Sequence, residues 1–120
     1  MDIVQVLKAL GDETRIRILN LLRKETLCVC DIEEVLKINQ SNASRHLTKL
    51  KDAKIIAGEK KAQWVYYRIN ENILVKYSFV NELLDRELDE HPQCQKDLTR
   101  LKKYRERGGS CEHTVKITDE

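Results

Sequence analysis

The fold is decided by the stretch from Asp31 to Leu50, which reads DIEEVLKINQSNASRHLTKL. Asp31 is a good N-cap, and the apolar spacing through Leu36 predicts a short helix. Residues 38–40 interrupt that pattern, and Ser41 can cap a second helix. Two short helices joined by a tight turn form a helix-turn-helix.

The second of these helices has an apolar inner face and a polar, basic outer face. The residues expected to face inward are Ala43, Leu47, Leu50 and Ala53. Short polar residues near a helix N-terminus can approach base edges, and cations beyond them can meet phosphates. We therefore predict DNA contacts at Gln40, Ser41, Ser44, Arg45, His46 and Lys49. For His46 the alternative is a hydrogen bond within the protein.

A predicted β-hairpin follows the helix-turn-helix. Residues 55–60 and 64–69 are strand-like, and such a hairpin is the wing of a winged helix. Lys61 and Gln63 lie at its tip, where they are predicted to reach flanking DNA; the alternative is an ordinary solvated turn. Residues 40–68 carry seven basic and two acidic side chains, although the net charge of the chain is only +2. The sequence therefore predicts a local basic face.

Composition favours a mostly helical, single-domain protein. Aromatic residues make up 5% of the 120 residues, and the chain holds one Pro and four Gly. No apolar run approaches the ~20 residues needed to cross a bilayer, and residues 1–3 do not begin an export signal. We expect a cytoplasmic protein with no membrane partner.

Helical periodicity also dominates the rest of the chain. The apolar residues that mark these helices are Val4, Leu7 and Leu10 in the first, Ile16, Leu19 and Leu22 in the second, and Val80, Leu83, Leu84 and Leu88 after the wing. Pro92 stops the pattern, and a last helix follows it. We expect one domain over residues 1–107 for DNA binding and dimerisation, and a flexible tail over residues 108–120.

Two of the four cysteines are close together in the sequence. Cys28 and Cys30 would point the same way in an extended segment and could share one soft ion. The start of the next helix is expected to favour the thiolate of Cys30. The alternative is that both are small residues that fill buried space. A three-sulfur site needs one more ligand, and only Cys94 and Cys111 remain.

Three segments together resemble the ArsR/SmtB family of metal-responsive repressors, especially its arsenic-responsive members: residues 7–19, 27–31 and 40–47. The resemblance implies a homodimeric winged-helix repressor that blocks its own operon's promoter until an inducer binds. It places DNA contacts on Gln40, Ser41, Ser44 and Arg45, inducer binding on Cys28 and Cys30, and the dimer contacts on residues 3–10 and 72–90.

The sequence departs from the family pattern at identifiable positions. Glu33 stands where many arsenic-responsive members carry a third Cys. Residues 73–91 offer only His91, which argues against the site of the zinc-responsive members. The wing turn lacks the Gly common in the family.

The leading hypothesis is a sensor of As(III) or Sb(III) that holds an imperfect palindromic operator and needs no cofactor while bound to DNA. We rank Cys94 first as the third ligand, Cys111 second, and a small thiol or water third. The alternatives are a repressor that responds to Cd(II), Pb(II) or a thiol oxidant at the same cysteines, or a small thiol enzyme. The enzyme is disfavoured because the chain has no Cys-x-x-Cys motif and no catalytic His partner. We expect no catalysis and no small-molecule substrate.

Overall fold

The computed structural model describes residues 2–117. In chain order the elements are α1 (Ile3–Leu10), α2 (Glu13–Leu22), β1 (Leu27–Cys28), α3 (Val29–Leu36), α4 (Gln40–Asp52), β2 (Ile56–Lys61), β3 (Trp64–Ile69), α5 (Glu71–Lys76), α6 (Ser78–Asp85), a 3-10 helix (Glu87–Glu90) and α7 (Pro92–Glu106). This order confirms the predicted helix-turn-helix, α3 and α4, and the wing, β2 and β3. Across the described residues, no helix is both long enough and apolar enough to span a bilayer.

The helix-turn-helix begins earlier in the chain than predicted. Cys28, not Asp31, is the N-cap of α3, and Asp31 acts from inside the first turn, where its carboxylate accepts a hydrogen bond from the Cys28 N–H at 3.1 Å. Asn39, not Ser41, caps α4 by accepting from the Asn42 N–H at 2.9 Å. Asn and Ser cap helices about equally well, so propensity alone does not choose between these two positions.

The inner face of α4 packs as predicted. Ala43, Leu47, Leu50 and Ala53 are at most 1% exposed and lie in one core with apolar residues of α2 and α3. Because one stripe of α4 is buried, the opposite stripe is held towards solvent.

The wing belongs to a three-stranded antiparallel sheet in the order β1-β3-β2. Ala62 and Gln63 form the turn between β2 and β3. Ala62 adopts φ 57°, the left-handed conformation that Gly would occupy most easily. On the other edge of β3, Cys28 of β1 lies opposite Tyr66. The sheet therefore joins the wing directly to the segment that carries the first thiol.

The expected continuous helix from residue 73 to Pro92 is wrong. The chain breaks at Tyr77, whose backbone is extended at φ −124° and ψ 95°, and again before the 3-10 helix. Residues 71–91 contain neither Gly nor Pro, so composition carries no signal for either break. Pro92 itself is the first residue of α7, where its missing N–H removes no helical hydrogen bond.

Two of the three apolar residues predicted to mark α1 point away from the core of this chain, whereas Leu10 packs against it. Val4 and Leu7 are each 51% exposed and Ile3 is 45% exposed, whereas Val6 is fully buried. The first helix thus presents an uncovered aliphatic surface to its surroundings.

Residues 108–117, predicted to belong to a flexible tail, are described by the structure. This segment has no helix or strand, but Cys111 is 8% and Ile117 only 2% exposed. Their apolar side chains anchor the segment to the core despite its polar composition. Residues 118–120 lie outside the described part of the chain.

Candidate functional site

The outer face of α4 carries most of the predicted DNA contacts. The exposed residues of this set are Gln40, Ser41, Ser44, Arg45 and Lys49. The Arg45 guanidinium donates to the Asn42 side-chain oxygen at 3.1 Å, which orients it on the helix surface. Short polar groups at the start of α4 and cations after them thus share one accessible surface.

His46 lies on the inner side of α4 and is only 5% exposed. Its Nδ1 is 3.1 Å from the Arg15 guanidinium and 3.8 Å from an Asp12 carboxylate oxygen. Burial lowers the pKa of His46; nearby Asp12 opposes this effect, while Arg45 and Arg15 add to it. His46, one of the predicted DNA contacts, therefore lies on the buried side of α4, where its ring contacts the residues before and within α2.

The wing tip is open to solvent. Both Lys61 and Gln63 are exposed. The Lys61 ammonium lies 3.9 Å from a Glu59 carboxylate oxygen and 5.9 Å from the centre of the Tyr66 ring. These are weak surface contacts, so Lys61 can exchange them for a phosphate.

Three cysteines converge where β1 meets α3. The sulfur atoms of Cys28, Cys30 and Cys111 all lie within 4.8 Å of one another. Cys28 is fully buried, and Cys30 is partly exposed. Cys28 and Cys111 are paired as a disulfide, with Cα atoms 6.3 Å apart, and Cys30 is free. The structure thus brings together both sulfurs of the Cys28–Cys30 pair and a third from the end of the chain.

Cys94, the first choice for the third sulfur, does not belong to this cluster. It lies in the first turn of α7, is fully buried, and contributes to the apolar core. Burial raises its pKa to about 11, and the negative charge of Asp97 adds to that effect. Cys94 therefore packs in the core, and the sulfur that lies beside those of Cys28 and Cys30 is that of Cys111.

A glycine turn after α7 returns the chain to the cluster. Gly108 has φ 81°, and its N–H bonds the Arg105 carbonyl at 3.0 Å, while the Gly109 N–H bonds the Tyr104 carbonyl at 2.8 Å. These two bonds form a Schellman motif, which reverses the chain at a helix C-terminus. A Cβ on Gly109 would approach the Tyr104 ring to 2.5 Å. The Gly-Gly pair is therefore a sequence signal for the return of Cys111 as well as for the end of α7.

A buried carboxylate links the cluster to α7. Asp31 is 1% exposed; one oxygen accepts from the Cys28 N–H and lies 3.4 Å from the Cys28 sulfur. The other oxygen is 2.7 Å from the Tyr104 hydroxyl, which is also 3.2 Å from the Ser110 carbonyl oxygen. Burial, aided by the hydrogen bond to Asp31, raises the pKa of Tyr104, so its hydroxyl remains a donor.

The environment of Cys30 opposes ionisation of its thiol. Burial raises the pKa of Cys30, and the charges of Glu33 and Asp31 add to the effect. The backbone N–H of Cys30 at the start of α3 favours the thiolate, but burial and the two carboxylates outweigh that effect. An open cavity of about 430 Å³ lies beside Cys30, between α3 and the C-terminal segment, with Lys37 and Lys116 among its lining residues. Cys30 is thus the sulfur that solutes can reach.

Comparisons with known proteins agree with this architecture. The profile described as "Bacterial regulatory protein, arsR family" matches residues 12–57. An arsenical resistance operon repressor of Bacillus subtilis is 40% identical over 85 residues, which cover 70% of this chain and 75% of the relative. The chain belongs to the arsR family. The family profile includes Cys28, Cys30 and all of α4, but α7 and Cys111 lie beyond it.

Other family relatives differ in the signal that their names record. The arsenic resistance regulator ArsR1 of Pseudomonas putida is 42% identical over 69 residues, and the match spans 57% of this chain and 54% of that regulator's length. A cadmium resistance regulatory protein, a CadC homologue of Staphylococcus aureus, is 36% identical over 86 residues, which cover 68% of this chain and 71% of the relative.

Solved structures of similar proteins share the fold. The homodimeric winged helix-turn-helix domain of Mb0332 from Mycobacterium bovis has a TM-score of 0.60 at 29% identity, over 74% of this chain and 83% of that one. HlyU from Vibrio cholerae has a TM-score of 0.58 at 28% identity, over 69% of this chain and 91% of that one.

Proposed function

We propose that the protein is a cytoplasmic, metalloid-responsive transcriptional repressor without catalytic activity. It binds operator DNA as a homodimer and is released when arsenite or antimonite binds Cys28, Cys30 and Cys111. The convergence of three sulfurs at the first turn of α3, the helix immediately before the recognition helix α4, carries this proposal.

The proposed DNA surface consists of α4 and the wing tip. Gln40, Ser41, Ser44 and Arg45 meet base edges in the major groove, because they are exposed at the start of α4. Lys49, Lys61 and Gln63 meet the flanking backbone.

The proposed dimer covers the exposed apolar face of α1. Ile3, Val4 and Leu7 would otherwise leave an aliphatic strip in water, and Phe79 of α6 adds an aromatic ring that is 38% exposed. A two-fold dimer places two recognition helices in successive major grooves, about 34 Å apart, of an imperfect palindrome. The homodimeric Mb0332 domain, which shares this fold, supports the arrangement.

The cysteine cluster has the size and chemistry of a site for a soft ion. Two sulfurs bound to one ion at about 2.3 Å each lie at most about 4.6 Å apart. The three sulfurs here all lie within 4.8 Å of one another, so one ion can reach all three once the bond between Cys28 and Cys111 is reduced and their sulfurs separate. Three thiols replace the three hydroxyl groups of arsenite, and their protons leave with those groups as three water molecules. Binding therefore requires the reduced state of Cys28 and Cys111.

The structural change caused by ion binding is transmitted to α4 through α3. The thiols lie at the N-terminus of α3, and the turn at its C-terminus, where Lys37 adopts φ 57°, leads directly into α4. Rearrangement of the sulfurs around the ion displaces the first turn of α3 and thereby reorients α4. By linkage, an ion that releases the DNA binds the free protein more tightly than the DNA-bound protein.

The test is release of a labelled promoter fragment of the protein's own operon, followed by fluorescence anisotropy under reducing conditions. Arsenite should release the wild type. The variants Cys28→Ser, Cys30→Ser and Cys111→Ser should bind the fragment but resist arsenite. Cys94→Ala is the matched control and should respond like the wild type. Normal release of the Cys28→Ser or Cys30→Ser protein would refute the proposed mechanism.

The same titration ranks other ions. Thiolates also bind Cd(II) and Pb(II), and the cadmium-related relative makes Cd(II) the first alternative inducer. Release at lower concentrations of Cd(II) or Pb(II) than of arsenite would assign the sensor to those ions.

A second candidate signal is an oxidant, because Cys28 and Cys111 are paired as a disulfide. Two thiols would give two electrons and two protons to hydrogen peroxide, forming one disulfide and two water molecules. Cys30 lies outside this pair. If the protein senses an oxidant, peroxide should still release DNA from the Cys30→Ser variant, and dithiothreitol should reverse that release. Arsenite should no longer release DNA from the same variant.

A further inference from the structure

We infer that Tyr104 is a positioning residue that docks the C-terminal segment, residues 108–117, on α3 and so completes the three-sulfur site. The inference rests on the proposed function and deepens it. It assigns control of ion affinity to a residue of α7, an element that the family profile does not reach.

The Tyr104 hydroxyl lies between the two parts of the chain that carry the sulfurs. It is 2.7 Å from the Asp31 carboxylate, and the same carboxylate holds the Cys28 N–H. It is also 3.2 Å from the carbonyl oxygen of Ser110, the residue before Cys111. One hydroxyl therefore contacts both sides of the cluster.

The Tyr104 ring also shapes the path of the returning chain. Gly109 is buried against this ring, and an added Cβ would come within 2.5–2.6 Å of three ring atoms. Only a residue without a side chain fits at this position while the ring stays in place. The ring and the glycine together fix the direction in which the chain leaves α7 towards Cys111.

Other contacts hold both the tyrosine and the segment. Arg105, the next residue of α7, bonds Glu25 at 2.6 Å and lies 3.5 Å from Asp31. At the far end of the segment, the Ile117 N–H donates to the buried Glu34 carboxylate at 3.1 Å. Cys111 therefore lies between two non-covalent attachment points, which remain when its bond to Cys28 is reduced, and Tyr104 provides the nearer one.

Removal of the Tyr104 hydroxyl should make this segment detach from α3 more often. The effective concentration of the Cys111 sulfur at the site should then fall. Tyr104→Phe should then raise the dissociation constant for arsenite about tenfold, towards the value for Cys111→Ser. Tyr77→Phe, at a half-buried tyrosine outside the cluster, should leave it unchanged.

A double-mutant cycle separates positioning from a general loss of stability. Isothermal titration with arsenite should show that Tyr104→Phe weakens binding in the wild type but adds nothing in the Cys111→Ser background. An unchanged affinity in the single variant, or the same loss in both backgrounds, would overturn the inference.

A second measurement applies to the reduced protein without any ion. The alkylation rate of Cys111 by iodoacetamide should rise about tenfold in Tyr104→Phe, while the buried Cys94 serves as the internal control. Gly109→Ala should have the same effect, whereas Gly11→Ala, whose Cβ meets nothing closer than 3.5 Å, should not. Equal Cys111 rates in all these proteins would refute the docking role even if wild-type protein bound no arsenite. Absence of arsenite binding by the wild type, with faster Cys111 alkylation, would instead refute the proposed function alone.

Discussion

A buried ion pair fastens α7 to α2, and removing one partner should destabilise the protein strongly. Asp97 is fully buried and accepts from the Arg17 guanidinium at 2.7 Å and 2.9 Å. The Arg17 side chain is only 17% exposed. Arg17→Met removes the guanidinium, keeps most of the aliphatic stem and leaves the carboxylate buried without its counter-ion.

The expected loss follows from this burial. Breaking a buried pair by removing one partner costs about 3–5 kcal/mol of unfolding free energy. The Gln93 amide still donates to Asp97 at 3.0 Å, so we expect the lower end, about 3 kcal/mol. Urea denaturation at neutral pH and one fixed protein concentration measures this value.

Arg86→Met is the matched control. Arg86 pairs with Glu82 on the surface of α6, where the two side chains are 71% and 51% exposed. Such pairs contribute about 0–1 kcal/mol. A loss below about 1 kcal/mol for Arg17→Met, or equal losses in both variants, would show that the Arg17–Asp97 pair does not hold α7 in place.

Three further predictions follow from single residues. Burial lowers the pKa of His46 below its ordinary 6.5, so the unfolded chain binds that proton more tightly than the folded protein. The unfolding free energy, measured by urea denaturation, should therefore fall as the pH drops below 6.5. In His46→Gln the unfolding free energy should depend less on pH in this range. Ala62→Gly should raise the unfolding free energy by roughly 0.5 kcal/mol in thermal denaturation, because it relieves the φ of 57°, and a decrease would contradict this reasoning. Leu7→Glu should convert the dimer to a monomer in sedimentation velocity, since Leu7 is 51% exposed on the proposed interface; an unchanged dimer would exclude α1 from it.

The recognition helix and the wing were predictable because their signals are local. The inward stripe of α4, with Leu47 and Leu50 buried, follows from helical spacing alone. The alternation of residues 64–69 likewise identified β3. The inward turn of His46 was not visible, because it depends on Arg15 and Asp12, more than thirty residues away in the sequence.

The third sulfur could not be assigned from spacing. Cys111 reaches Cys28 across a sequence separation of 83 residues; the glycines before Cys111 mark a reversal of the chain, but nothing near either thiol identifies its partner. The raised pKa of Cys30 could not be predicted for a related reason. Burial and the charge of Glu33 outweigh the effect of the helix N-terminus, and burial depends on the whole fold.

X-ray absorption spectroscopy of the reduced, arsenite-loaded protein tests the three-sulfur site most directly. The wild type and Cys94→Ala should each show three sulfur neighbours around arsenic, and Cys111→Ser should show two. Three sulfurs in Cys111→Ser together with two in Cys94→Ala would contradict the assignment of the site to Cys28, Cys30 and Cys111.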